Sequence, residues 1–113
     1  MAHPTFEDLV RDALDGLPDW VEPYLEDVAV QIEEHSAPDQ RNLYGLYEGI
    51  PLTERGDWYA GVLPDRITIF RGPLLRHCHS PAEVVAEVRI TVVHEVAHHF
   101  GIDDHTLNDL GYG

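Results

Sequence analysis

The first apolar pattern runs from Thr5 to Leu17, where Phe6, Leu9, Val10, Ala13, Leu14 and Leu17 recur at intervals of three and four. That spacing lines one face of a helix. Thr5 is a suitable N-cap, Asp8 completes an imperfect capping box, and Gly16 with Pro18 ends the run. Pro18 to Leu25 predicts a second short helix, with Trp20 and Tyr24 four apart as packing residues. Val28, Ala29, Val30 and Ile32 predict a first strand, closed by Glu33–Glu34, and Pro38–Asp39 marks a turn or loop. Leu43 to Tyr47 reads as a second short strand. Glu48 to Asp65 holds three glycines and two prolines and reads mostly as loop. Arg66 to Arg71 alternates, with Ile67 and Ile69 on one side and Arg66, Thr68 and Phe70 on the other. This predicts a strand with one buried face. Gly72–Pro73 punctuates it, and Leu74 to Cys78 predicts a short helix.

The clearest boundary follows. Ser80-Pro81-Ala82-Glu83 supplies an N-cap serine, a proline at the first helical position and a glutamate at the third. Val84, Val85, Val88, Ile90, Val92, Val93, Val96 and Ala97 then occupy more than one face, which predicts a central, largely buried helix. It runs to about Phe100 and stops at Gly101, a residue suited to positive φ. Asp103 or Asp104 caps a last short helix through Leu110. The expected architecture is a single α+β domain over residues 1–113, with a small twisted sheet packed on the Ser80–Phe100 helix between N- and C-terminal helices. Arg66–Arg71 is placed at the sheet edge, where an extended peptide adds by main-chain pairing. Ile67, Thr68 and Ile69 are therefore candidate substrate-binding residues.

Composition narrows the field of partners. Apolar residues make up 43% and charged residues 25%, which argues for a folded chain. No apolar run reaches the roughly 20 residues of a membrane span, and no secretory signal is visible. One cysteine, Cys78, excludes an internal disulfide and points to a reducing cytoplasm. The 7 cations, all arginine, face 21 carboxylates, for a net charge of −14. Nucleic acid and anionic membranes are poor partners for that balance. Metal ions and other cations suit it, and a monomer is expected.

Eight histidines make spacing decisive. His94-Glu95-Val96-Ala97-His98 lies inside the predicted buried helix. Two histidines four apart project from one face, so their ring nitrogens can reach one ion at about 2.0–2.1 Å. Glu95 is offset by about 100° around the helix and can take a proton from a water at the ion. Gly101 turns the chain out of the helix, and Asp104 returns as a third ligand. Random shuffling of this composition yields the five-residue motif with probability about 0.05, and the version extended to Gly101 and Asp104 with about 0.0004. The extended pattern therefore carries the argument. The competing readings are packing histidines, an ion-paired Glu95, and an Asp104 that only caps the last helix. His99 reads as structural, His105 as solvent-facing, and Tyr112 as either terminal packing or a donor to a developing oxyanion. His77-Cys78-His79 reads as loop residues, with soft-metal ligation as the alternative.

His94, Glu95, His98, Gly101 and Asp104 resemble the zincin metallopeptidase signature, in the variant where aspartate replaces the third histidine of the metzincins. The segments Leu46–Leu52, Pro64–Leu74 and His94–Ile102 are similar to a family of small bacterial minimal zincins, over roughly residues 40–113. The resemblance implies a compact α+β fold and one Zn²⁺ per chain, held by His94, His98 and Asp104. The only methionine is Met1, so the methionine turn of metzincins is absent, and the nine residues after Asp104 predict a shallow cleft.

The expected function is zinc-dependent hydrolysis of peptide or amide bonds in a peptide or protein substrate, with Glu95 as general base. The alternative is a zinc-stabilised binding or regulatory domain with little or no catalysis, marked by a fourth protein ligand such as Cys78 or His77.

Overall fold

The computed structural model describes residues 4–36, 43–49 and 65–112. The turn expected at Pro38–Asp39 and most of the loop between Glu48 and Asp65 lie outside these residues. Helix α1 spans Phe6–Asp15. Its capping box is complete, because the Thr5 hydroxyl accepts from the Asp8 amide at 3.1 Å and Asp8 Oδ2 accepts from the Thr5 amide at 3.1 Å. These hydrogen bonds hold the Asp8 carboxyl below its ordinary pKa. The second expected helix is only a 3₁₀ turn, Glu22–Leu25, with Pro23 in its first turn. Trp20 and Tyr24 are partly buried against the core, as packing residues should be.

Three strands form one sheet: β1 (Val28–Glu33), β2 (Gly45–Glu48) and β3 (Asp65–Phe70), in the order β1-β3-β2. β3 pairs in parallel with β1 and antiparallel with β2. The placement of 66–71 at the sheet edge is therefore corrected, since β3 is the central strand. Ile67 opposes Val30 on one side and Tyr47 on the other; Thr68 opposes Gln31 and Leu46; Ile69 opposes Ile32 and Gly45. Their main-chain groups already serve two ladders, so a peptide cannot add there. Nor does β3 have only one buried face, because Ile67, Thr68, Ile69 and Phe70 are all buried. Thr68 can be buried because its hydroxyl accepts from Gln31 Nε2 at 2.9 Å.

Helix α2 spans Arg71–His77 and starts directly at the end of β3, three residues before the expected Leu74. Gly72 and Pro73 belong to its first turn, where a missing N–H costs no helical bond. The Gly72 amide instead donates to Glu34 O at 2.9 Å, at the end of β1.

Helix α3 spans Pro81–His99, and α4 spans Asp104–Asp109. The four described α-helices and the sheet make an α+β domain. Val84, Val88, Val92, Val93, Val96 and Ala97 of α3 meet Phe6, Leu9, Val10 and Ala13 of α1, Ile67 and Ile69 of β3, and Leu107 of α4 in one core. β2 approaches α3 so closely that a Cβ on Gly45 would lie 2.8 Å from Thr91 Cγ2. Glycine is what permits that distance. No described helix is long and apolar enough to cross a membrane.

Candidate metal centre

The site is built on the last two turns of α3. The helix starts as its sequence dictates: the Ser80 hydroxyl accepts from the Glu83 amide at 3.1 Å, and Glu83 Oε2 accepts from the His79 amide at 2.8 Å. Burial of the valine face then fixes the rotation of α3. His94 and Glu95 become half-buried and His98 exposed. The rings of His94 and His98 lie 6.1 Å apart, one turn from each other, inclined at 60°.

The chain leaves α3 through a Schellman turn. Ile102 N donates to Ala97 O at 2.8 Å, Gly101 N reaches His98 O at 3.4 Å, and Gly101 has φ +75°. Glycine adopts that conformation without the steric cost other residues meet. Two aspartates follow, and they divide the work. Asp103 is the N-cap of α4, its Oδ1 accepting from the Thr106 amide at 2.8 Å. That hydrogen bond holds the Asp103 carboxyl below its ordinary pKa. Asp104 is thereby free of capping and lines a hollow of about 570 Å³ with His94, His98 and Asn108. Asn108 was not foreseen, although its position four residues after Asp104 puts both on one helix face.

Glu95 points to the other side of His94. Its Oε1 accepts from the Tyr47 amide of β2 at 3.0 Å. With His94, His98, Gly45, Tyr44 and Thr91 it lines a cleft of about 270 Å³ between α3 and β2. The sheet edge beside the site is thus β2. No sequence signal reveals this contact, because a main-chain amide is the same in every residue. Tyr47 is itself fixed: its hydroxyl donates to Asp65 Oδ2 at 2.8 Å, and its ring stacks on His99 at 4.0 Å. Burial, then the hydrogen bond and charge of Asp65, push the Tyr47 hydroxyl up to about 12. His99 therefore has a structural partner.

The Tyr112 carbonyl lies 2.6 Å from His94 Nε2, and Tyr112 packs against the core, as terminal packing requires. His105 is exposed, 3.7 Å from Asp109. The His77 ring lies beside Tyr44, and Cys78 is a half-buried free thiol. Burial, helped by Glu87 and Glu83, raises the thiol pKa, which disfavours the thiolate a soft metal needs. Neither His77 nor Cys78 lines the hollows around His94 and His98.

Two neutral imidazoles and one carboxylate around a single hollow are a donor set that zinc accepts. Among the described residues, however, no three His, Cys, Asp or Glu side chains are gathered closely enough to hold a metal ion. The set fits zinc in its chemistry, and His94, His98 and Asp104 line one hollow without being drawn together to coordination distance.

An α+β domain whose central helix carries His-Glu-x-x-His, and then turns through glycine to an aspartate, defines a protein of the zincin class. A family model described as zincin-like metallopeptidase matches residues 20–113, and the chain belongs to that family. The match begins before β1, well ahead of the residues 40–113 that carried the resemblance. Membership implies zinc binding and a peptidase-like function. No curated protein matches the chain.

Proposed function

We propose that the protein hydrolyses peptide or amide bonds, with one zinc ion per chain held by His94, His98 and Asp104 and with Glu95 as general base. The observation that carries this reading is the division of labour between the two aspartates. Asp103 caps α4, and Asp104 faces the two histidines across one hollow. When bound, zinc would supply Lewis acidity, polarising the scissile carbonyl and making a water more acidic.

The chain's own residues supply the rest. The Tyr47 amide fixes one oxygen of Glu95, and Oε2 makes no hydrogen bond among the described residues. That oxygen is the one that takes the proton of the attacking water and later passes it to the leaving amine. The substrate lies in the cleft between α3 and β2, with its carbonyl toward His94 and His98.

The test is a peptide-library digest with zinc-supplied protein and its Glu95→Gln variant. Cleavage by the wild type alone, with equal zinc in both, supports the reading, and equal activity in both contradicts it. A second reading is a zinc-stabilised binding domain with little or no catalysis. It requires zinc uptake without cleavage of any library peptide. In either reading, the hydrogen bond between His94 Nε2 and the Tyr112 carbonyl, at 2.6 Å, would have to yield to an ion bound at that nitrogen.

A further inference from the structure

Arg89 lies on α3 five residues before His94. With Ala86, Ile90, His94, Gly111 and Tyr112 it lines a hollow of about 390 Å³. Among the described residues its guanidinium makes no hydrogen bond and no ion pair, and its Nε is buried without a partner. This is unexpected in a chain with 21 carboxylates and 7 arginines. Arg11, Arg66 and Arg71 each have a carboxylate within 4 Å.

The guanidinium is also held in place from behind. It crosses Gly16 at the end of α1, where a Cβ would come within 2.4 Å of Nη2. The C-terminal end of a helix carries partial negative charge, which steadies the cation without saturating its five donors.

We propose that Arg89 anchors a carboxylate of the substrate, and that the carboxylate is foremost the free C-terminus of a short peptide. The proposal rests on the hydrolase reading and names its substrate class. The hollow sets Arg89 beside the apolar walls of Ala86 and Ile90, and it shares His94 with the proposed metal site. A C-terminal residue offers the complement: an apolar side chain and a carboxylate that a guanidinium can grip in bidentate fashion. Along α3, Arg89 and His94 are separated by about 7.5 Å of helix rise and by about 140° of rotation, so the span between them is at least roughly two residues of extended peptide. The anchor would therefore bring a bond about two or more residues before the C-terminus to His94. An acidic side chain near that bond offers the same chemistry, and the experiment separates the two.

The test is calorimetric titration of zinc-supplied protein carrying Glu95→Gln, so that the probe stays intact. The probes are acetyl-Ala-Ala-Leu as free acid, its amide, and acetyl-Ala-Ala-Glu amide. The free acid should bind about tenfold tighter than its amide, as a charge-assisted pair implies. Adding Arg89→Gln should abolish that preference. Gly16→Ala displaces the guanidinium while keeping its charge, and should reduce the preference part way. Thermal unfolding of each variant separates a lost fold from a lost anchor. A glutamate amide that binds as well as the free acid assigns the anchor to side-chain carboxylates. Equal binding of free acid and amide, no binding of either, or a preference that survives Arg89→Gln overturns the anchor. If the wild type cleaves amides as fast as free acids, the anchor fails and the hydrolase reading stands. If it cleaves neither, the hydrolase reading itself fails.

Discussion

The two halves of the motif are held in different ways. His94 and Glu95 sit on a nineteen-residue helix whose valine face is buried against α1, β3 and α4. Their orientation follows from the core and from the Tyr47 amide, before any ion is considered. Asp104 sits on the six-residue α4, whose only buried residue is Leu107. A helix that short has little stability of its own. It is tied down by that one leucine, by the Asp103 cap and by the turn at Gly101. The lesson is that a buried helix can preset the proposed base and the two histidines of the motif, whereas the proposed third ligand, Asp104, rides on a segment with few contacts. Zinc binding should therefore order the second half more than the first.

Consequences for the first half are the largest. Glu95→Gln should lower turnover by about 10²–10⁴-fold, the usual contribution of a positioned base, with zinc content unchanged. A parallel loss of zinc would show that Glu95 belongs to the ligand set instead. In the second half, Leu107→Ala should cost about 2–5 kcal/mol in denaturant unfolding, as for other fully buried leucines. A cost below about 0.5 kcal/mol would mean that α4 is not anchored by the core at all.

Removing zinc sharpens the contrast further. Chelation should lower stability by about 2.7 kcal/mol from a starting zinc concentration of about 100 times Kd. Hydrogen exchange should then rise mainly over Gly101–Tyr112, with Val88–Ala97 little changed. Uniform loosening would contradict the division drawn here.

The smallest effect concerns the Tyr47 support. Its hydroxyl pKa is raised to about 12 in the folded protein, above the unfolded value near 10. The folded state thus holds that proton more tightly. The associated stability is complete below pH about 10 and is lost as pH rises through about 12. Tyr47→Phe should cost about 1–2 kcal/mol near neutral pH and flatten the alkaline loss. An unchanged alkaline profile in Tyr47→Phe would place the titration elsewhere.

Much of this was legible in the sequence for definite reasons. Helices α1 and α3 announce themselves through caps and apolar spacing, and His94, Glu95, His98, Gly101 and Asp104 through their offsets along one helix and its turn. Strand order was not legible. The alternation in 66–71 shows a strand but not its neighbours, and the apolar or small residues at Ile67, Thr68 and Ile69 suit a central strand as well as an edge. The start of α2 was hidden because Gly72 and Pro73 break most helices but are tolerated in a first turn. Asp103 and Asp104 were equally good caps by residue type, and only the hydrogen bond to Thr106 separates them. The contacts of Glu95 with the Tyr47 amide and of His94 with the Tyr112 carbonyl are main-chain contacts, which residue identity does not encode.

The most direct test of the central claim is zinc content by elemental analysis of wild type, Asp104→Ala and Asp103→Ala, each purified without added metal. About one zinc per wild-type chain is expected, with clear loss in Asp104→Ala and retention in Asp103→Ala at a cost of about 1 kcal/mol of stability. Equal zinc in wild type and Asp104→Ala, or none in the wild type even after zinc is supplied, would contradict that claim.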